Sequence, residues 1–103
     1  MRSFSEAELD ALVAEATVDC YHDDEQLTGL YTMIEENLAL PFTTRVLGVD
    51  VTVDSVDVAA AGQIVATCYR GPDRQAIGIL DLPLPSPPPG GAEWIAAYRR
   101  WVG

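Results

Sequence analysis

The spacing of apolar residues changes once along this chain, and that change constrains the fold more than any other feature. Up to Leu38 the apolar residues recur at helical spacing, and from Phe42 onward they alternate. Helical periodicity followed by strand periodicity reads as an α+β chain. At 103 residues, residues 1–103 are expected to form one domain, because two separate cores would each be too small to hold.

In the helical part, Leu9, Leu12, Val13, Ala16 and Cys20 make one stripe. Ser5 with Glu8 three residues later is a capping-box pattern, so a first helix is expected from about Glu6 to about Cys20. Leu27, Leu30, Tyr31, Ile34 and Leu38 repeat the spacing, and Asp23 with Gln26 resembles a second capping box. A second helix is expected from about Asp24 to about Leu38, ending before Pro41. The linker around Tyr21 to Asp23 is short, which predicts an αα-hairpin.

Beyond Phe42, Val49, Val51 and Val53 alternate with Asp50, Thr52 and Asp54, with Gly48 read as a bulge. The alternation slips at Ser55, and Ala59 to Gly62 reads as a turn. Gln63 to Arg70 is a strand, Gly71-Pro72-Asp73 a turn, and Arg74 to Leu80 the returning strand. Pro83, Pro85, Pro87, Pro88 and Pro89 force an extended strap, released at Gly90-Gly91. Trp94, Tyr98 and Trp101 then fall on one side of a short C-terminal helix, where core packing is the favoured role. The expected architecture is an N-terminal αα-hairpin packed on a small antiparallel sheet of three or four strands. The sheet is short enough to curl into a partly open barrel.

Charge narrows the functional classes. Sixteen acids against six arginines give a net charge of −10, which disfavours phosphate backbones and anionic membranes as partners. No apolar run is long enough to span a bilayer, and the acidic N-terminal stretch lacks the apolar core of a secretory signal. With only Cys20 and Cys68, a cytoplasmic protein with reduced thiols is expected, although one bridge is possible in principle. Residues 1–36 carry ten of the acids and a single base, Arg2. One reading of that bias is a solvated face, and the other is a surface that works on cations.

Placement favours the second reading. Asp19, Glu35 and Glu36 are expected in the last turns of their helices, where the helix dipole disfavours an anion by about 0.3–1 kcal/mol each. Glu15 and Asp19 are expected as a like-charge i, i+4 pair. Asp23, Asp24 and Glu25 sit where the dipole welcomes them, at the start of the second helix. The cluster offers hard oxygen ligands, with His22 the single histidine, so calcium suits it better than zinc or copper, with magnesium the competitor. It is not an EF-hand: counted from Asp19, the sixth position is Asp24 and the twelfth Leu30. Glu25 and Glu36 are separated by about 16 Å along a helix, so a primary site is expected at the helix junction and a second near Glu35 and Glu36.

The stretch DCYHDDEQLTGLYTMIEENLALPF from Asp19 resembles the acidic helix-pair segment of the CcbP-like calcium-binding protein family. VLGVDVTV from Val46 and IVATCYRG from Ile64 look like its central strands, and LDLPLPSPPPGGAEWIAAYRRW from Leu80 like its C-terminal signature. The resemblance spans about Glu15 to Trp101 and implies a small α+β protein that binds calcium through acidic residues and buffers it in the cytosol, with Asp19, Asp23, Glu25, Glu35 and Glu36 matching the family's acidic pattern. With Asp24 beside them, these six carboxylates are the expected ligands of a calcium buffer or sensor. No enzyme motif stands against this: there is no P-loop, nucleophile elbow or zincin pattern. The alternative is an acidic interaction module, monomeric or weakly dimeric, that docks a basic partner. Arg99 and Arg100 are available to pair with the acidic face, and Asp81 to cap a turn before Pro83.

Overall fold

The computed structural model describes residues 4–103; Arg2, counted above in the charge of the first third, lies outside them. In chain order the elements are α1 (Glu6–Ala16), α2 (Asp23–Asn37), β1 (Phe42–Val46), β2 (Val49–Val58), β3 (Ile64–Arg70), β4 (Asp73–Gly78), a 3-10 turn (Ile79–Asp81) and α3 (Ala92–Val102).

α1 begins on its capping box. Ser5 Oγ accepts the Glu8 N–H at 3.1 Å, and Glu8 Oε1 accepts the Ser5 N–H at 3.2 Å. It ends at Ala16, about a turn before the expected end near Cys20. Thr17 Oγ1 donates to the Val13 carbonyl at 2.7 Å, and α2 crosses there with Gly29 against the Ala16 carbonyl. Asp19 then takes a left-handed backbone, φ 62°, of the kind aspartate tolerates in turns. Asp19 is therefore outside the helix, and neither its opposition to the α1 dipole nor its helical pairing with Glu15 holds. α2 starts one residue earlier than expected, and its N-cap, His22, makes no side-chain capping bond. The second capping box does not form: Gln26 Oε1 instead accepts the Trp101 indole N–H at 2.9 Å.

The four strands make an antiparallel meander in the order β1-β2-β3-β4. β1 and β4 are its two edges, so the sheet is not closed on itself. The β1–β2 hairpin has a two-residue loop, Leu47-Gly48, with φ of 50° and 78°. Positive φ at both positions is the type I′ turn, so Gly48 is a turn residue and not a bulge. The bulge lies between Val53 and Ser55, where the alternation slips. The β3–β4 loop is Gly71-Pro72, with Gly71 at φ 57°. Proline cannot take positive φ, which leaves the type II′ turn. β4 stops at Gly78, and Ile79 to Asp81 form the 3-10 turn in place of further strand.

One sheet face is covered. α2 and α3 lie over its Val56 and Ile64 end, in a core with Leu30, Ile34, Ile79, Trp94 and Ile95. α1 packs outside, on α3 and α2. The Tyr98 hydroxyl accepts the buried N–H of Ile64 at 3.3 Å, and the Tyr98 ring stacks on Trp101 with centroids 6.3 Å apart. The strap then crosses the middle of the same face. Leu82 fills a second core cluster with Val53, Ala66 and Cys68, Thr44 Oγ1 donates to the Pro83 carbonyl at 2.6 Å, and the Ala39 N–H donates to the Gly90 carbonyl at 2.7 Å. Gly91, at φ 88°, sits where a Cβ would be 2.2 Å from the Asn37 carbonyl oxygen, so only glycine lets α3 start there.

Candidate functional site

Eight of the ten acidic residues in the first third of the chain fall into three groups. Glu6 and Asp10, on α1, are neutralised from α3. Arg100 Nε donates to Asp10 Oδ1 at 3.0 Å, and Arg100 Nη2 lies 3.7 Å from Glu6 Oε2. The hydrogen bond to Asp10, together with both carboxylate charges, pushes the Arg100 guanidinium above its ordinary range. Arg99 turns elsewhere and donates to the Leu80 carbonyl at 2.9 Å.

Glu35 and Glu36 form the second group, in the last turn of α2, where no basic residue offsets the dipole. The Tyr31 hydroxyl donates to Glu35 Oε2 at 2.5 Å and also reaches the Val56 carbonyl at 3.3 Å. The bond to Glu35, followed by burial and the charges of Glu35 and Asp57, pushes the Tyr31 hydroxyl up to about 12. Glu36 is exposed and has no ion-pair partner among the described residues.

The third group is the α1–α2 junction, with Asp19, Asp23, Asp24 and Glu25. All four are exposed, and none has an ion pair among the described residues. Asp23, Asp24 and Glu25 occupy the first turn of α2, where the helix field stabilises them. A shallow groove alongside is lined by Cys20, Asp24, Glu25, Thr28, Gly29 and Thr32. The same junction displays two apolar side chains that the sequence reading passed over: Val18 is 68% and Tyr21 80% exposed. Their signal was present, since both lie off the apolar stripe of α1 inside an acidic stretch.

Calcium takes six to eight oxygen ligands. Among the described residues no three Asp, Glu, His or Cys side chains come together in a way that could hold a metal ion, so the carboxylates as placed do not form a calcium cage. Glu35 and Glu36 are separated from the junction by most of α2, as the helix geometry required. Both cysteines are free; Cys68 is buried in the second core cluster, and burial, with the charge of Asp54, pushes its thiol up.

No helix among the described residues is long and apolar enough to cross a membrane. Comparisons with protein-family models, with curated proteins and with solved structures find no match to this chain.

Proposed function

We propose that the α1–α2 junction is an interaction surface that docks a basic segment of a partner protein. One observation carries this reading: Tyr21 and Val18 stand exposed among carboxylates that have no ion-pair partner among the described residues. Exposed tyrosine is a common anchor of protein interfaces, because its ring contributes apolar area and its hydroxyl a hydrogen bond. Asp19, Asp23, Asp24 and Glu25 supply the long-range attraction for lysine and arginine and raise the association rate. The test is titration with a Lys/Arg-rich peptide containing apolar residues, followed by calorimetry. Binding should weaken steeply with salt, and Tyr21→Ala should lose roughly tenfold or more in affinity. Binding that is indifferent to Tyr21, or absent at low salt, would overturn the reading.

A second reading is calcium binding at the same junction, favoured by four hard-oxygen side chains within seven residues of chain. The ion would have to gather side chains that now point into solvent, with backbone carbonyls freed at the end of α1 completing its shell. Calcium titration of chelator-treated protein in millimolar magnesium decides this. Saturable heat that Asp19→Asn/Asp23→Asn abolishes supports calcium, and no heat removes it.

A further inference from the structure

The sheet is longer than its covering. α2 and α3 shield the Val56 and Ile64 end and the strap shields the middle, but the end nearest the two hairpin loops is open. There Val46, Val49, Val51, Cys68 and Ile77 line a groove of about 290 Å³. All but Val49 also belong to, or pack against, the core cluster around Leu82, so the groove is the open margin of that core. At its lip stands Leu47, 98% exposed, the most exposed large apolar side chain of the described residues.

Leu47 breaks two local rules at once. The first position of a type I′ turn needs positive φ and selects Asn, Asp or Gly, whereas a leucine Cβ is strained there. A loop tip in water gains nothing from leucine in place of a polar residue. A residue that conflicts with both its backbone and its solvent points to a role outside the folded monomer.

Charge selects the occupant. The chain carries −10 overall, yet this end of the sheet is nearly balanced. Arg45 pairs with Asp50 at 3.1 Å, Arg70 lies opposite Asp73 across the β3–β4 hairpin, and Arg74 lies over the Tyr69 ring. It is therefore where two copies of so acidic a chain can approach without strong repulsion. The surface is also self-complementary, with an apolar knob beside an apolar groove. The Arg70 side chain has no hydrogen-bond or ion-pair partner among the described residues, and Asp73 is exposed beside it.

We infer that the open end of the sheet is a self-association surface, in which Leu47 of each copy inserts into the groove of the other around a two-fold axis. An isologous contact of this kind sets Asp73 of one copy within reach of Arg70 or Arg74 of the second, and leaves both acidic helical hairpins pointing away from the interface. The contact is small and apolar at its centre, so the dimer is weak and reversible.

Sedimentation equilibrium from low micromolar to millimolar protein tests this, using the whole chain and a Leu47→Asn variant. Asparagine suits the turn, so the variant should fold and its dilute monomer should melt no lower than the wild type. The expected result is a concentration-dependent dimer that Leu47→Asn weakens at least tenfold, while Asp23→Asn/Asp24→Asn, at the opposite pole, does not weaken it. A wild-type chain that stays monomeric to millimolar concentration overturns the proposal. So does a dimer that Leu47→Asn leaves intact, or one that the junction variant abolishes.

Discussion

Gly29 of α2 passes so close to Ala16 of α1 that a Cβ on the glycine would be 2.2 Å from the Ala16 carbonyl oxygen. The two helix backbones touch at that point, and α1 stops there. The crossing therefore fixes where the chain leaves α1, and so where Val18, Asp19 and Tyr21 are displayed.

Gly29→Ala should destabilise the fold. Alanine gains helix propensity of about 1 kcal/mol over glycine, but both atoms in the clash are held by backbone, so the helices must separate. Overpacking of this kind typically costs about 1–3 kcal/mol. The expected outcome is a net loss of up to about 2 kcal/mol in urea unfolding, with an unchanged m-value. A more stable variant would show that the crossing relaxes freely.

Tyr98→Phe isolates one hydrogen bond. The hydroxyl accepts the buried N–H of Ile64, at the first residue of β3. Its removal leaves that donor unsatisfied and should lower stability by about 1–3 kcal/mol. Amide exchange at Ile64 should speed up by more than at the β2–β3 residues on the far side of the bulge.

Tyr31 sets a stability limit at high pH. Its hydroxyl is pushed up to about 12, chiefly by its bond to Glu35. The protonated phenol is the form the fold favours. This contribution is therefore complete below the ordinary tyrosine pKa near 10 and is lost as pH rises from there through about 12. Ultraviolet titration should show a tyrosine step near 12, and Glu35→Gln should bring it down toward the ordinary tyrosine value near 10. If Glu35→Gln leaves the late step in place, Glu35 is not its main cause.

The two ends of α2 should respond oppositely to charge removal. Asp24 lies in the first turn and Glu36 in the last. Asp24→Asn should lower stability and Glu36→Gln raise it, each by about 0.3–1 kcal/mol at low ionic strength and by less in high salt. Thermal melts at two salt concentrations check both signs.

Much of the architecture was legible because it rests on short-range physics. The change of period at Phe42, the Ser5–Glu8 capping box and the slip at Ser55 each involve residues a few positions apart, and the structure keeps all three. The junction was read only in part. Its acids were plain in the sequence, but the place of Asp19 depended on where α1 ended.

The sequence by itself determined the order of helices and strands, the start of α1, the strap, and an acidic first third, since period, capping and composition are local properties. Only the tertiary structure decided that α1 ends at Ala16, that the six candidate carboxylates stay exposed and spread apart, and that Leu47 stands beside an open groove. These depend on contacts between distant segments: the α2 backbone against Ala16, and a strap that covers the middle of the sheet but not its end. Local periodicity carries no information about which distant segment arrives, or how far along an element it lies.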